Sequence, residues 1–232
     1  MRVFDALTAC WPAAETRRLG SWTLRRGEGG GGRASAATLD GAFDDPTEAE
    51  VAMRAMGQRP RFLIRPDEAA LDAALAARGY GIEGPNSIFA APAGEIGGTD
   101  PDWATVRCAA PLARMVELWA ANGIGAGRLA VMARVTEPKI WLLVRDGDRP
   151  AGCAFADIHA GVAMLHSVVI DPASRRRGLG ARLVRAAGRW AAAEGASSLA
   201  LAVGQANAPA VALYRGLGMT DAGAYHYRLA PD

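Results

Sequence analysis

A strand, a turn and a helix follow one another between residues 165 and 183, and this stretch constrains the fold more than any other. Residues 167–170 read Ser-Val-Val-Ile, a largely β-branched run that predicts a buried strand. Asp171 and Pro172 end the strand, because proline cannot donate to a β-ladder. Residues 175–180 contain two glycines and open a helix with one apolar face. The free amides and the helix dipole at such a turn favour an anion, so the stretch predicts a pyrophosphate site.

The composition is that of an ordinary globular protein. Half of the 232 residues are apolar and 22% are charged. The formal net charge is +2, which is too small to predict nucleic-acid binding. The three cysteines are far apart and lack the spacing of metal ligands, so we expect a cytoplasmic protein without a metal. We find no cleavage signal and no apolar run of membrane-spanning length, so we expect no membrane partner.

The Arg-x-x-Gly-x-Gly motif at residues 175–180 resembles the pyrophosphate loop of the GNAT superfamily of N-acetyltransferases. Two further segments follow in the order of that family. Residues 199–203 resemble the next strand, and the helix with Asn207 and Tyr214 resembles the family's Asn-x-x-Ala-x-x-x-Tyr helix. The glycine motif alone would be a weak signal, whereas the ordered set is specific. The resemblance extends back to about residue 101.

The resemblance implies an α+β or α/β fold with a mixed, mostly antiparallel central sheet flanked by helices. The order of elements before the glycine motif agrees with it: one strand, two helices and three strands. We therefore predict a catalytic N-acetyltransferase domain at residues 101–232. The glycine-rich residues 93–101 predict a linker in front of it.

Residues 1–95 predict a smaller GNAT-like αβ lobe, a degenerate copy of the same unit. When residues 62–64 are aligned with residues 201–203, the order of helices and strands agrees. Glu68 and Leu75 then occupy the positions of the family's asparagine and tyrosine, so we expect no second acetyl-CoA site. The alternative is that any αβα segment would align this well.

A second glycine-rich stretch at residues 27–33 reads Gly-Glu-Gly-Gly-Gly-Gly-Arg. It lacks the Gly-Lys-Ser/Thr end of a P-loop, and no helical pattern follows directly. We therefore predict a flexible hairpin connection to a strand at residues 34–39.

The resemblance implies that acetyl-CoA binds along the central strand and the helix after it. The pantetheine arm would pair with the backbone of residues 168–170 as an added strand. The pyrophosphate would lie on the amides of residues 176–181. The side chains of Arg175 and Arg176 would add charge, whereas Arg177 fits a solvated helix start. The expected cofactor-binding residues are Val168, Val169, Ile170, Arg175, Arg176, Arg177, Gly178, Leu179, Gly180, Ala181, Asn207 and Tyr214.

The resemblance also implies that Tyr214 is the general acid that protonates the departing thiolate. A phenol has an ordinary pKa of about 10, which keeps it protonated at pH 7. The alternative is a core tyrosine that packs its helix against the sheet. Asn207 would hydrogen-bond the pantetheine or cap its helix, and the two roles are compatible.

The general base is where the sequence departs from the family. Some members have a glutamate on the strand before the asparagine, and here that position is Ala202. His166 lies on a strand near the expected site and titrates in the right range, so it is our candidate base. Asp157 lies on a neighbouring strand. A structural histidine, a relay through water and an amine that arrives neutral are open alternatives.

Together these features predict an N-acetyltransferase that moves the acetyl group of acetyl-CoA to a primary amine by direct attack. The acceptor would be a small molecule or a protein amine. The alternative is a non-catalytic protein that binds or senses acyl-CoA, which would need the glycine motif but not Tyr214. A dinucleotide-dependent oxidoreductase is disfavoured, because the third glycine of its fingerprint is missing.

Overall fold

The computed structural model describes residues 2–98, 104–136 and 138–232, with only the backbone of Arg2. Its helices are α1 (Arg2–Ala9), α2 (Gly32–Ser35), α3 (Thr47–Ala55), α4 (Ala69–Ala77), α5 (Ala93–Ile96), α6 (Ala113–Ala121), α7 (Ala126–Arg134), α8 (Leu179–Ala193) and α9 (Ala208–Gly216). Its strands are β1 (Glu15–Leu19), β2 (Trp22–Arg26), β3 (Thr38–Leu39), β4 (Arg61–Ile64), β5 (Gly81–Pro92), β6 (Thr105–Cys108), β7 (Lys139–Asp146), β8 (Arg149–His159), β9 (Val162–Ile170), β10 (Ser198–Gly204) and β11 (Thr220–Leu229).

One large sheet organises the molecule. Its strands lie in the order β4-β11-β5-β10-β9-β8-β7-β6, and β1, β2 and β3 form a second, small sheet. Neighbouring strands of the large sheet are antiparallel except β9 and β10, which run parallel. The predicted mixed, mostly antiparallel sheet flanked by helices is therefore confirmed.

Helices cover both faces of the large sheet. On one face, α8 packs on β10, where Leu183 and Leu201 belong to one apolar cluster, and α4 packs on β11. We call this side the α8 face. On the opposite side, which we call the α1 face, α1 packs on β9 and β10, while α6 and α7 cover β7 and β8. Burial of apolar side chains against both faces stabilises the sheet, at about 1.5–3 kcal/mol for each large side chain.

Strand order and register relate the unit β4-α4-β5 to the unit β10-α9-β11. Leu201 of β10 pairs with Phe89 of β5, and at the equivalent positions Phe62 of β4 pairs with Arg228 of β11. This register agrees with the repeat that the sequence predicts. The two units exchange strands, because β5 lies between β10 and β11. The N-terminal segment therefore completes the sheet of the C-terminal segment.

The linker predicted before residue 101 is wrong for residues 93–98. These residues include α5, which packs on α8 with Ala93 and Ile96 buried. The contact is so close that a Cβ on Gly188 would lie 1.9 Å from Ile96 Cγ2. Residues 99–101 lie outside the described residues. The domain boundaries stay a prediction.

The flexible hairpin predicted at residues 27–33 is also wrong, because this stretch packs tightly on α7. A Cβ on Gly127 would lie 2.5 Å from the backbone of Gly29, so the two chains touch at a glycine. The strand predicted at residues 34–39 is replaced by α2 and the two-residue strand β3. Here the glycines permit close approach between distant segments rather than mobility.

Candidate active site

β9 and β10 separate near the centre of the large sheet. Their ladder ends at the pair Leu165–Leu201, and beyond it the structure shows no partner for this edge of β9 among the described residues. A β-bulge lies at the same place, where the register with β8 shifts and Ser167 has a φ of +51°. The ring N–H of Trp119 donates to the carbonyl of Ser167 at 2.8 Å and holds the bulge. The backbone of residues 168–170 is therefore free to pair with an extended ligand.

The helix after this strand begins with free amides. Its N-cap residue, Gly178, has a φ of +76°, and Arg176 just before it has a φ of +65°. The first bond of the helix runs from the amide of Arg182 to the carbonyl of Gly178 at 3.1 Å. The amides of residues 179–181 consequently have no acceptor within the helix. Together with the helix dipole, they form a place for an anion at the end of β9.

The side chains around these amides have separate roles. Arg177 Nη1 lies 2.8 Å from Asp146 Oδ2 on the surface, which agrees with a solvated helix start. Arg175 Nε donates to a backbone carbonyl at the end of β9 at 3.4 Å. Gly180 lets α8 approach α9, because a Cβ there would lie 3.0 Å from Leu213 Cδ2. Gly178 is thus needed for its backbone conformation, and Gly180 for the close approach of the two helices.

The predicted residues Asn207 and Tyr214 both lie on α9. Asn207 caps the helix, since its Oδ1 accepts from the amide of Ala210 at 3.3 Å. Tyr214 is 6% exposed, with its ring 6.2 Å from that of Phe89. Burial raises the pKa of Tyr214 to about 12. Its hydroxyl has no hydrogen-bond partner among the described residues and is not enclosed by protein, so it is available to a ligand.

His166, the candidate base, is buried with both ring nitrogens engaged. Its side chain is 1% exposed, and Nε2 lies 3.1 Å from Asp157 Oδ1. Nδ1 lies 3.2 Å from Arg33 Nη2. Arg33 can only donate, so Nδ1 accepts and Nε2 carries the proton toward Asp157. Burial lowers the pKa of His166, which favours this neutral form. The contacts favour a structural role, and its role as base stays a prediction.

Two residues of the N-terminal segment complete this cluster, and sequence analysis identified neither. The guanidinium of Arg33 lies over the ring of Trp11, 5.1 Å from the centroid, and donates to the carbonyl of Leu7 at 3.4 Å. Trp11 packs on His166 with ring centroids 4.9 Å apart. Its ring N–H donates to the carbonyl of Gly30 at 2.9 Å, which ties down the glycine-rich stretch. These contacts join segments far apart in the chain, so no local pattern signals them.

Within the described ranges, no group of three or more His, Cys, Asp or Glu side chains is placed to hold a metal ion. Across those same ranges, every helix is too short or too polar to cross a membrane.

Comparisons with known proteins agree with this fold. Residues 112–219 match the model of the acetyltransferase (GNAT) family, a segment that runs from the residue before α6 to the residue before β11. This part of the chain is therefore similar to GNAT acetyltransferases. It contains the bulged strand, the glycine motif and α9.

A curated relative is the mycothiol acetyltransferase of Clavibacter michiganensis subsp. michiganensis (strain NCPPB 382), 39% identical over 87 residues. The match covers 37% of this chain and 28% of that enzyme, so it spans only a minor part of the relative's length. The similarity supports the family, and the activity of the whole chain is a matter for proposal.

Solved structures resemble nearly the whole chain. A GCN5-related N-acetyltransferase from Kribbella flavida is 20% identical, with a TM-score of 0.72 that covers 100% of this chain and 95% of that one. A tandem GNAT protein from the clavulanic acid biosynthesis pathway is 14% identical, with a TM-score of 0.60 over 95% of this chain and 85% of that one. At these identities the likeness shows the fold, including that of the N-terminal segment.

Proposed function

We propose that this chain transfers the acetyl group of acetyl-CoA to a primary amine, by direct attack of the amine on the thioester. The observation that carries the proposal is the unpaired edge of β9, which leads to the free amides at the start of α8. An extended arm followed by a pyrophosphate fits these two features in that order.

The binding groups are divided between the strand and the two helices. The backbone of residues 168–170 pairs with the pantetheine arm, and the amides of residues 176–181 bind the pyrophosphate. Arg175 and Arg176 add positive charge beside it. Asn207 uses its side-chain oxygen to cap α9, which leaves its NH₂ group free to donate to the arm.

Acetyl-CoA supplies the thioester, and Tyr214 acts as general acid on the sulfur that leaves. A pKa of about 12 keeps the phenol protonated at pH 7. A thiol has a pKa of about 8.5, so complete proton transfer to a free thiolate would be uphill by roughly 5 kcal/mol. The main effect of Tyr214 is therefore a hydrogen bond to the sulfur that strengthens as negative charge develops.

The acceptor must lose a proton during the reaction. His166 could take it only if Arg33 released Nδ1, because the proton on Nε2 is donated to Asp157. Water and an acceptor that binds as the neutral amine are the routes that leave these contacts intact.

We further propose that residues 1–95 form a degenerate lobe without acetyl-CoA. In this lobe the equivalent of the gap lies between β3 and β4, where the guanidinium of Arg65 donates to the carbonyl of Leu39 and closes it. Carboxylates that include Asp67 and Glu68 line a cavity of about 260 Å³ there. Their negative charge would repel a pyrophosphate.

Titration calorimetry should therefore give one acetyl-CoA bound per chain. The physical reason is that the start of α4 has no glycine turn and presents carboxylates instead. Two equivalent sites would contradict the degenerate-lobe proposal without affecting the site on β9.

A thiol-release assay with acetyl-CoA and a panel of amines tests the activity. We expect release with at least one class among amino acids, polyamines, aminoglycosides, lysine peptides and peptide N-termini. Binding of acetyl-CoA without release for any amine would favour the non-catalytic alternative. Failure to bind acetyl-CoA would contradict the proposal altogether.

A further inference from the structure

In the proposed reaction the pyrophosphate and the acceptor would lie on opposite faces of the sheet, with the acceptor on the α1 face. α8 packs on the opposite face of the sheet, so a pyrophosphate on its first amides lies on that side. The arm fills the gap between β9 and β10. His166 lies on the α1 face at the end of the β9–β10 ladder, immediately after Leu165. Arg33 lies against His166. Arg33 thus places a cation beside His166 on the acceptor's side of the sheet.

Arg33 is a half-buried cation that makes no ion pair with a carboxylate in the described part of the chain. Its polar contacts are Nδ1 of His166 at 3.2 Å and the carbonyl of Leu7 at 3.4 Å. A guanidinium has five N–H donors, and these two long contacts leave the others unused. Arg33 is partly exposed, and its Nε has no partner among the described residues and is not enclosed by protein, so this donor can reach a ligand.

The nearby negative charge of Asp157 does not satisfy Arg33. Asp157 lies on the far side of the His166 ring, where it accepts the proton of Nε2 at 3.1 Å. It also interacts with the thiol of Cys10, whose pKa burial and this carboxylate both raise. The neutral ring therefore separates the two charges and fixes the direction of the guanidinium.

Two phenols lie beside Arg33 on the same face. The ring of Tyr227 packs on Gly32, where a Cβ would lie 2.9 Å from it, and Tyr225 packs edge-on against Tyr227 at 5.6 Å. Burial raises the pKa of Tyr227 well above its ordinary value, and the positive charge of Arg33 opposes that rise. Guanidinium and phenol groups are both hydrogen-bond donors suited to a carboxylate.

We propose that Arg33 binds a carboxylate of the acceptor, so that the acceptor is an amine that also carries a carboxylate, such as a free amino acid. The inference rests on the proposed acetyl transfer. It gives the N-terminal segment a direct part in substrate selection. The glycine-rich stretch would then position the binding residue, because it packs on α7 and brings Arg33 to the end of the β9–β10 ladder.

The test compares matched acceptors, an amino acid and its carboxamide, which share the amine and differ in the carboxylate. We expect the unaltered protein to prefer the amino acid. Arg33→Met should lower kcat/KM for the amino acid by about 10²-fold, mainly through KM, and change the value for the carboxamide by less than about threefold. The KM for acetyl-CoA should not change. Arg128→Met is the matched control, because Arg128 is exposed and lies against Gly31 of the same stretch. It should leave both acceptors unaffected.

Equal losses on the two acceptors would overturn the inference, since they would assign Arg33 to positioning His166. An unchanged preference in Arg33→Met would overturn it as well. If Arg33→Met does not fold, Arg33→Lys keeps the charge but loses the two-pronged geometry, and the loss should again be confined to the amino acid. Transfer to amines in general with no preference for the carboxylate would contradict this inference alone. Absence of transfer to every amine would contradict the proposed function and this inference with it.

Discussion

At the scale of single residues, the surroundings of a polar group decide whether it is free to act. His166 and Tyr214 are both buried, yet they differ in their partners. Both ring nitrogens of His166 are engaged, by Arg33 and Asp157. The hydroxyl of Tyr214 has no partner among the residues that the structure describes. A ligand can therefore use Tyr214 without breaking an existing contact, whereas using His166 would break one.

Replacement of Tyr214 by Phe should lower turnover by about 10²–10⁴-fold, the usual contribution of a positioned acid. Affinity for acetyl-CoA should be retained, because the hydroxyl matters once charge develops on sulfur. Stability should change by at most about 0.5–1.5 kcal/mol. Tyr80→Phe is the control, because Tyr80 is also a buried tyrosine but belongs to the core of the N-terminal lobe. Near-normal turnover of Tyr214→Phe on the true acceptor would reduce Tyr214 to a packing residue.

The buried His166 should make the fold sensitive to acid. Burial lowers its pKa, so below about pH 6.5 the unfolded chain binds a proton that the folded chain does not. The stability that this group contributes is present above that pH and is lost as the pH falls. In His166→Gln the amide can accept from Arg33 and donate to Asp157 without titrating. Melting temperatures from pH 7.5 to 5 should fall less steeply for this variant, and parallel curves would contradict the assignment.

At the scale of elements, glycines control how closely helices approach. Gly188 in the middle of α8 touches Ile96 of α5, whereas Gly216 at the end of α9 has open space around its Cβ position. The same substitution should therefore act in opposite directions at the two positions.

Gly188→Ala should destabilise the protein by about 1–3 kcal/mol, because the added methyl group forces α5 away from α8. Gly216→Ala should stabilise it by roughly 0.5–1 kcal/mol, since alanine loses less backbone entropy in a helix. Denaturant unfolding of the two variants measures both effects. Loss of stability in both would mean that helix packing does not distinguish the two glycines.

Most helices and strands could be predicted from the sequence, and the main exceptions are the glycine-rich stretch and the residues that follow it up to residue 39. β9 and α8 lie where apolar periodicity and turn residues predict them. The glycines of residues 27–33 are present for contact with α7, which a local pattern cannot distinguish from a turn. The glycine motif is a local pattern, so the sequence predicts an anion site there. The contact between Arg33 and His166 joins distant segments, so only the folded chain shows it.

At the scale of the whole molecule, the exchange of strands makes the two halves depend on each other. β5 pairs with β10 on one side and with β11 on the other. β11 in turn pairs with β4. A cut between the halves would leave long unpaired edges on both sides.

Residues 104–232 expressed alone should therefore fail to fold cooperatively. Without β5, the facing edges of β10 and β11 are unpaired and the side chains packed between them are exposed. Addition of residues 2–98 as a separate chain should restore a cooperative transition by circular dichroism and acetyl-CoA binding by calorimetry. Native-like binding by residues 104–232 alone would show that the exchanged strand is dispensable.

The pairing of β4 with β11 also sets the order in which the protein can assemble during synthesis. Residues 61–64 are made early, but their antiparallel partners are residues 226–229. The ribosome adds roughly 5–20 residues per second, so β4 waits on the order of ten seconds or more for that partner. During this time the small sheet, α3 and α4, or a chaperone must shield the apolar residues of β4 from water. Synonymous codons that slow translation between the two strands should therefore lower the yield of folded protein.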